Sequence, residues 1–422
     1  MNITNSRISG LHKMSPVERL KKVVEDTGLG DDVISHLSNT GNLDAATADS
    51  MIENVIGTMN IPLGVATNML VDGQDVLVPM ATEESSVVAA VCNAARQCRS
   101  TGGFTTELSS AHMIAQVQLL GVSNPEFARL QILEHKPEIK AICDETDPVL
   151  LKHGGGFRDL EVRILKGRTG PMVITHLIVD TQDAMGANAV NSMAEAVAPY
   201  IAKWTGGKTY LRILSNLADR RLARARATWS LEEIGGAEVR DGILAAYDFA
   251  DVDPYRAATH NKGIMNGVSA VVLATGNDCR AVEAGAHAYA ARSGQYSSLT
   301  RWEADADGNL TGTIEMPLAV GLIGGATRSH PTARIVLDIM KITTAERLAC
   351  TIAAVGLAQN FAALKALATT GIQKGHMALH AKNIAVMAGA TGEEIGKVAN
   401  ELVSLGKVRV DVAEEILRDI RK

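Results

Sequence analysis

The sequence predicts a multidomain α/β protein, and this expectation rests on its length and on the alternation of strand and helix patterns. At 422 residues the chain is longer than one hydrophobic core usually supports, so two or three domains are expected. Short apolar runs typical of strands alternate with segments whose apolar residues recur at helical spacing. A long Ala-rich helical segment (344–370) and a separate helical tail complete the pattern.

Composition restricts the class of protein. Hydrophobic residues make up 46% and charged residues 21% of the chain, which is ordinary for a soluble globular protein, and the net charge of −6 argues against a general nucleic-acid binder. The five cysteines are scattered without a CxxC pair, as expected for free thiols in a reducing compartment. The amino terminus has no apolar signal core, and no apolar stretch reaches the ~20 residues that span a bilayer. We therefore expect a cytoplasmic protein without nucleic-acid or membrane partners.

The first part of the chain is predicted to be mainly helical before it enters a sheet. Its elements are short helices (15–56), an irregular connection (57–68), a strand (75–81) and a helix (82–98). Glu83 and Glu84 stand at the predicted start of that last helix, where the helix macrodipole favours carboxylates. They also follow the end of a strand, so one of them could instead face a ligand cleft.

The middle of the chain is predicted to be an inserted unit at 109–216. Its elements are strands at 111–121, 158–167, 172–179 and 208–214, a charged helical segment (125–145) and a helix near 190–200. The polar turn DAMGAN (183–188) lies between a strand and a helix start, where backbone N–H groups can bind an anion. A routine strand-to-helix connection explains it equally well. No GxGxxG motif occurs, so a Rossmann fingerprint is absent.

The stretch 254–278 concentrates polar residues suited to catalysis. Arg256 offers a fork for a carboxylate or phosphate, and Lys262 is a compact charge that could polarise a carbonyl. The run 271–274 is predicted to be a buried strand, and Asp278 follows its end, where α/β sheets usually place ligand groups. A basic surface loop after a core strand is the alternative interpretation.

The C-terminal segment adds a pair of histidines and a small helical unit. His376 and His380 have the i, i+4 spacing of a zinc pair, but no third ligand follows, so we expect no metal. Thr391 and Glu394 predict a capping box, and Asp411 opens a last helix. This tail is either a mobile lid or a docked pair of helices.

Eight separate stretches, in order, closely resemble 3-hydroxy-3-methylglutaryl-coenzyme A reductase in its soluble class II form from bacteria and archaea. They are ENVIG (53–57), TEESSVVAA (82–90), GGFTT (102–106), DAMGAN (183–188), RILSNLAD (212–219), YRAATHNKGIMNG (255–267), ATGND (274–278) and QKGHM (373–377). The resemblance implies a large, mostly helical domain for coenzyme A and substrate (1–108 and 217–374). It also implies an inserted, non-Rossmann, ferredoxin-like domain for NAD(P) (109–216) and a helical C-terminal flap (375–422).

The resemblance also assigns the catalytic residues of a reaction that interconverts hydroxymethylglutaryl-CoA and mevalonate by two hydride transfers, via mevaldyl-CoA and mevaldehyde. Lys262 matches the lysine that stabilises the oxyanion, and Asp278 the aspartate that tunes this lysine. Glu84 matches the glutamate that acts as acid on the carbonyl, with Glu83 its less suitable neighbour. His376 matches the histidine on the flap that protonates the coenzyme A thiolate.

The same resemblance implies the binding residues. Arg256 matches the arginine that binds the free carboxylate of the substrate, and three further residues match the pocket lining: Ser86, Thr259 and Asn266. One departure concerns the coenzyme A phosphates, since His12 beside Lys13 stands where a relative has an arginine.

For the cofactor, DAMGAN matches the dinucleotide-binding turn of the family, which comprises Asp183, Ala184, Met185, Gly186, Ala187 and Asn188. Asp147 falls where an NAD-preferring relative carries an aspartate, and a carboxylate there repels a 2′-phosphate. The expected cofactor is therefore NAD, with NADP possible. The resemblance further implies a homodimer with the active site at the subunit interface, or a higher oligomer.

Two other hypotheses stay open from the sequence. The chain could be another CoA-linked, NAD(P)-dependent acyl-thioester or aldehyde dehydrogenase, although a substrate without a free carboxylate would leave Arg256 unpaired. It could also be an inactive nucleotide- or CoA-binding protein, which the joint presence of the four matched catalytic residues disfavours.

Overall fold

A computed structural model describes residues 5–39, 41–369 and 372–422 of the chain, and the side chains of residues 372–379 lie outside this description. Within these ranges the strands are β1 (Leu63–Val71), β2 (Gln74–Ala81), β3 (Phe104–Leu108), β4 (His112–Leu120), β5 (Gly156–Gly167), β6 (Gly170–Asp180), β7 (Lys208–Ser215), β8 (Leu222–Trp229), β9 (Thr300–Ala304) and β10 (Leu310–Pro317). They form two sheets, here named the large and the small sheet.

Helices occupy most of the remaining described chain. They are α1 (Pro16–Thr27), α2 (Asp31–Ser38), α3 (Ala45–Met51), α4 (Val87–Cys98), α5 (Pro125–Glu134), α6 (Lys136–Thr146), α7 (Pro148–Lys152), α8 (Ala187–Thr205), α9 (Leu231–Ile234), α10 (Ala237–Val252), α11 (Pro254–Ala274), α12 (Cys279–Ala290), α13 (Gly325–Ser329), α14 (Pro331–Met340), α15 (Ala345–Ala368), α16 (Ile372–Met387), α17 (Glu393–Ser404) and α18 (Val410–Ile420).

The large sheet has the strand order β2-β1-β3-β8-β10-β9; β2 is buried on both faces, whereas along β8 one face is buried under helices. Strand β8 shows why: Ala223, Ala225 and Ala227 alternate with Arg224 and Arg226, so one face is apolar and the other is polar. Helices α4, α11 and α15 pack on the apolar side.

Helix α15 is the centre of this core. Trp229 of β8 stacks on Phe361 of α15, with 4.3 Å between the ring centroids. The helix is long and apolar enough to cross a bilayer, but 83% of its apolar stretch is buried inside the protein. It is packed as a core helix of the large sheet.

The small sheet has the strand order β5-β6-β4-β7, with neighbouring strands antiparallel. Helices α5 to α7 connect β4 to β5, a tight turn joins β5 to β6, and α8 connects β6 to β7. This β-α-β-β-α-β order, with β4 and β6 in the centre, is the ferredoxin-like arrangement that the resemblance implied. Helices α6 and α8 cover one face and bury a second apolar core, which includes Ile139, Val190 and Met193.

Three predictions of local structure are wrong. The run 271–274 is not a strand but the last turn of α11, which begins under an N-cap by Asp253. Residues 57–68 are irregular only at first, because β1 starts at Leu63, and a bulge at Asn68 (φ 67°) obscures its alternation. The helix predicted from 82 begins only at Val87, so Glu83 and Glu84 precede it rather than occupying its first turn.

The other predicted strands are confirmed within a few residues, and the charged segment 125–145 forms two helices, α5 and α6. The capping box of the tail is half formed: the Thr391 N–H donates to the Glu394 carboxylate at 2.9 Å, whereas the Glu394 N–H donates to the Thr391 carbonyl. Helices α16, α17 and α18 share a small apolar cluster of their own.

Candidate active site

Helix α11 presents the predicted polar residues on one face. Arg256, Thr259, Lys262 and Asn266 follow one another at i, i+3, i+6 and i+10, which places them within an arc of about 120°. The opposite face is buried against α15 and the large sheet through Ala257, Ile264 and Val268. The burial of the apolar side therefore fixes the direction of the polar side.

The loop between β2 and α4 brings a carboxylate to this polar face. The Lys262 Nζ donates to the Glu84 Oε2 at 2.8 Å, and the Asn266 Nδ2 donates to the Glu84 Oε1 at 3.3 Å. The side chains of Lys262 and Glu84 are 61% and 39% exposed, so a ligand can reach the pair. Glu83 is exposed beside it, and the structure brings Glu84, not Glu83, to Lys262.

Two polar side-chain atoms near this face are shielded from solvent without a hydrogen-bond partner among the described residues. One is the Oγ of Ser86, the N-cap of α4, which holds a left-handed backbone with φ 78°. The other is the Oε1 of Gln359 on α15, whose Cβ lies 3.0 Å from the position that a Cβ on Gly267 would take. Buried polar atoms are normally paired, so these two are candidates for ligand contacts.

Gln359 is a residue that the sequence analysis missed. The signal was a pair of amides, Gln359 and Asn360, within an otherwise apolar, Ala-rich helix. A buried amide in such a helix needs a partner, and Asn360 has several, including the Trp302 Nε1 at 2.8 Å.

Arg256 is half-buried at the N-terminal end of the polar face. Burial lowers the pKa of its guanidinium, and no described side chain accepts a hydrogen bond from it. Behind it, burial and then the charge of Arg256 lower the pKa of His260 to about 3. His260 is therefore neutral at physiological pH, and its Nε2 lies 3.0 Å from the Thr300 Oγ1.

The structure does not join Asp278 to Lys262 by a hydrogen bond among the described residues. The Asp278 carboxylate is instead the N-cap of α12, accepting from the N–H groups of Arg280 and Ala281 at 3.0 and 3.1 Å. His376 belongs to α16, and its side chain lies outside the described part of the chain. Of the four predicted catalytic residues, the structure brings Glu84 and Lys262 into contact.

The DAMGAN turn follows the end of β6, an inner strand of the small sheet, and lies against the segment that follows β10. Gly186 (φ 95°) is the N-cap of α8, the Asp183 carboxylate accepts from the Ala345 N–H of α15 at 2.7 Å, and Ala184 bridges to Ile323. Asn188 is exposed on the first turn of α8. Asp183 is thus engaged with the large-sheet side of the molecule, while the backbone N–H groups at the N-terminus of α8 are of the kind that can bind an anion.

Asp147 lies towards the same end of the small sheet, because β5 begins just after α7 with Gly156 paired to Asp180 at the end of β6. Its side chain accepts from the Leu150 N–H at 2.8 Å and caps the short helix α7. A carboxylate has further acceptor positions, so this cap leaves it able to accept from a ligand hydroxyl. His12 and Lys13 are exposed in a 3₁₀ turn near the amino terminus.

Comparison with known proteins decides the family. The model of the hydroxymethylglutaryl-coenzyme A reductase family matches residues 15–381. The 3-hydroxy-3-methylglutaryl-coenzyme A reductase of Archaeoglobus fulgidus is 57% identical over 99% of this chain and 95% of its own, and the probable reductase of Borreliella burgdorferi is 35% identical over 88% and 87%. The class II reductase of Streptococcus pneumoniae, solved with NADPH, has a TM-score of 0.82 at 39% identity and covers 97% of this chain and 100% of its own.

The chain belongs to the hydroxymethylglutaryl-coenzyme A reductase family. The mixed α/β architecture with two sheets is that of the class II reductase structures. The matched range contains every residue that the resemblance assigned to catalysis and to substrate. The last two helices, α17 and α18, lie beyond it.

The side chains at the site determine which ligands it can bind. Among the residues whose side chains are described, no group of three or more His, Cys, Asp or Glu residues could hold a metal ion. The chemical groups on the polar face are one ammonium, one guanidinium, one carboxylate and several amides and hydroxyls. Such a set can bind an acidic substrate and stabilise negative charge that develops on an oxygen.

Proposed function

We propose that this chain interconverts hydroxymethylglutaryl-CoA with mevalonate and coenzyme A, using a nicotinamide cofactor for two hydride transfers. The observation that carries the proposal is the contact of Lys262 with Glu84, supported by Asn266, on an accessible face of α11. A cation held by one carboxylate beside open space is suited to stabilise an oxyanion, because its position is fixed before the substrate arrives.

In this proposal Lys262 stabilises the oxygen of the reacting carbonyl, and Glu84 delivers a proton to it. The hydrogen bond between the two supports this, since the ammonium and the acid then face the same atom of the substrate. Asp278 adds a negative charge that balances the charge of Lys262. We expect the two side chains to contact each other only in the substrate-bound dimer. His376 protonates the departing thiolate from the flap, a task that suits an imidazole near neutral pH.

Arg256 binds the free carboxylate of the substrate in this proposal. Its guanidinium is half-buried without a described acceptor, and a carboxylate would form a charge-assisted, bidentate contact with it. Ser86, Thr259 and Asn266 complete the pocket, and Gln359 joins them because its buried carbonyl oxygen lacks a donor. A substrate without the carboxylate would leave the arginine unpaired.

The cofactor is proposed to bind at the DAMGAN turn. The turn fits a dinucleotide, because the N-terminus of α8 offers backbone donors for a pyrophosphate and Gly186 lets the backbone approach it closely. When bound, the cofactor supplies hydride to the carbonyl carbon. Asp147 favours NAD over NADP by repelling a 2′-phosphate, although the pneumococcal relative was solved with NADPH.

We also propose a homodimer whose active site lies at the subunit interface. Its support is an exposed apolar segment between α3 and β1, which contains Ile52, Ile56 and Met59. Exposed apolar patches of this kind usually mark protein contacts. The proposal includes the domain boundaries expected above, and the five free thiols support a cytoplasmic location.

The function is tested by following NADH and NADPH absorbance when hydroxymethylglutaryl-CoA is added to the purified protein. Two equivalents of NADH oxidised per thioester, with NADPH much slower, is the expected result. Asp147→Asn should raise the relative rate with NADPH. If the wild type prefers NADPH, the proposed reaction stands but the proposed role of Asp147 is wrong. Absence of turnover with either cofactor would refute the proposed function.

Two variants test the residue roles. Arg256→Met should raise KM for hydroxymethylglutaryl-CoA far more than KM for the cofactor. His376→Gln should block reduction of the thioester but leave reduction of free mevaldehyde largely intact, since that step has no thiolate to protonate. Equal loss of both half-reactions in His376→Gln would contradict its role as the acid for the thiolate.

A further inference from the structure

Arg221 is a fully buried arginine at the junction of the large and small sheets. It lies directly before β8 and has no exposed surface. Its Nη1 donates to the Thr181 Oγ1 and to the Ala184 carbonyl, each at 3.0 Å, and its Nη2 donates to the Val320 carbonyl at 2.7 Å. One side chain thus connects the loop after β6 with the loop after β10.

The partners of Arg221 are neutral, which makes its burial costly. Among the described residues no carboxylate oxygen lies within 4.0 Å of it, and its Nε has no hydrogen-bond partner. Burial lowers the pKa of Arg221 to about 10, and the charges of Asp180 and Asp183 partly oppose this. The guanidinium therefore remains protonated at neutral pH. A buried cation without a contacting counter-ion is uncommon, because an apolar side chain of similar size would avoid the desolvation cost.

The two loops that Arg221 joins are also locked together by their backbones. The Leu322 N–H donates to the Asp183 carbonyl at 2.8 Å. A Cβ on Gly321 would lie 2.3 Å from the Met185 nitrogen, so the backbones approach as closely as a glycine permits. The DAMGAN turn is therefore held from the large-sheet side, and Arg221 adds side-chain hydrogen bonds to the one that the Asp183 carboxylate accepts from Ala345.

We propose that Arg221 is a positioning residue: it holds the binding site of the nicotinamide dinucleotide in place without contacting the dinucleotide itself. It fixes the DAMGAN turn against the segment 318–323, so that the backbone donors at the N-terminus of α8 keep the geometry that a pyrophosphate requires. Its buried positive charge adds attraction for that anion, since charges act over longer distances where water is excluded. This inference rests on the proposed function, in which the DAMGAN turn binds the cofactor.

The neighbouring residue provides a matched control. Arg220 has a side chain that is 49% exposed and pairs with Glu161, so the same substitutions there change an arginine without disturbing the junction. The test compares Arg221→Lys and Arg221→Met with Arg220→Lys and Arg220→Met. Equilibrium binding of NADH and NADPH is measured by nicotinamide fluorescence without thioester, and KM is measured separately for cofactor and for hydroxymethylglutaryl-CoA.

Arg221→Lys keeps the charge but cannot reach three acceptors with one planar fork, so it should bind both cofactors about 10- to 100-fold more weakly. Arg221→Met should bind both cofactors more weakly still. In Arg221→Lys the KM for hydroxymethylglutaryl-CoA should stay within about twofold of wild type, since only the positioning of the turn changes. Cofactor binding by Arg221→Lys within twofold of Arg220→Lys, or an equal rise of both KM values, would overturn the inference.

A second variant covers the case in which neither Arg221 variant folds. Thr181→Val removes one acceptor of Arg221 and keeps the shape of the side chain, and thermal unfolding with circular dichroism establishes that it is folded. It should lose cofactor affinity with KM for the thioester unchanged, and wild-type affinity would overturn the inference. Failure of the proposed function is distinguishable, because it would appear as absent thioester-dependent turnover in the wild type itself.

Discussion

Replacing Lys262 by methionine separates stability from catalysis at the centre of the proposed site. The Lys262 and Glu84 charges are 2.8 Å apart. Coulomb attraction at this separation amounts to about 1.5 kcal/mol in water and about 6 kcal/mol at an effective dielectric constant of 20. Both side chains are more than a third exposed, 61% and 39%, so hydration offsets most of this attraction. A net contribution of at most about 1 kcal/mol remains.

Lys262→Met should therefore leave the protein folded, with a thermal midpoint lowered by at most about 2 °C. Its effect on catalysis should be much larger. Loss of a single neutral oxyanion donor already costs about 2.7–4 kcal/mol of transition-state stabilisation, and a full positive charge stabilises an oxyanion more than a neutral donor does. We expect kcat to fall at least about 10³-fold in both reductive steps, which corresponds to about 4 kcal/mol. The affinity for the cofactor should be unchanged.

The assay follows oxidation of NAD(P)H with hydroxymethylglutaryl-CoA and with mevaldehyde, beside thermal unfolding of the same samples. Lys136→Met is the matched control, since Lys136 pairs with Asp159 at 2.5 Å and the two side chains are 47% and 54% exposed. The control should show the same small stability change and full activity. More than a tenth of wild-type kcat in Lys262→Met, or a loss of several kcal/mol of stability, would refute the reasoning.

Three further predictions concern other parts of the chain. Ser86→Ala should raise the free energy of unfolding by about 1–3 kcal/mol, because it removes a shielded hydroxyl that has no described partner, yet weaken thioester binding about tenfold in a titration. Burial raises the pKa of Asp75, but hydrogen bonds from Arg99 and Ser6 outweigh it and hold the pKa below 3.8. The stabilisation is therefore present above that pH and lost as the pH falls through the lowered pKa. Asp75→Asn should cost about 2–4 kcal/mol in denaturant unfolding at pH 7, and this difference should shrink below about pH 4. Gly321→Ala places a Cβ 2.3 Å from a backbone nitrogen of the facing turn, so it should destabilise the protein by about 1–3 kcal/mol and weaken cofactor binding, measured by unfolding and fluorescence.

Features set by local sequence were predictable. The capping box of Ser15 and Glu18 is present at the start of α1, and the C-terminal Gly28 takes the left-handed conformation that ends the helix. The strands β4 and β6 follow their apolar patterns: β4 alternates in burial towards its end, and β6 is a mostly apolar run that is buried from Val173 to Val179. The contact of Glu84 with Lys262 was accessible only through the family resemblance, because 178 residues separate the two side chains.

The error at α11 shows where local patterns fail. A short run of Val and Leu fits a buried strand and a buried helix equally well, and the surrounding structure decides between them. Gly267 of α11 and Gly356 of α15 let these helices approach closely: a Cβ on Gly267 would lie 3.3 Å from the Val355 carbonyl oxygen, and a Cβ on Gly356 would lie 2.9 Å from Val268. The packing of α11 on α15 therefore involves glycines that are distant in the sequence, and the residues around 271–274 do not reveal it.

The loop that carries Glu84 connects these observations to function. Ser86 holds φ 78°, a conformation that costs a non-glycine residue about 1–2 kcal/mol, and its shielded hydroxyl lacks a partner, which costs about 1–3 kcal/mol more. The Ser86 carbonyl accepts from the Ala90 N–H at 2.8 Å, but this bond leaves the hydroxyl without a described partner. A substrate group that pairs with the hydroxyl would recover the second cost, and that gain would appear as binding affinity. In the proposed function the loop is therefore held in a binding-competent form at the expense of stability, as expected where a site is preorganised for its ligand.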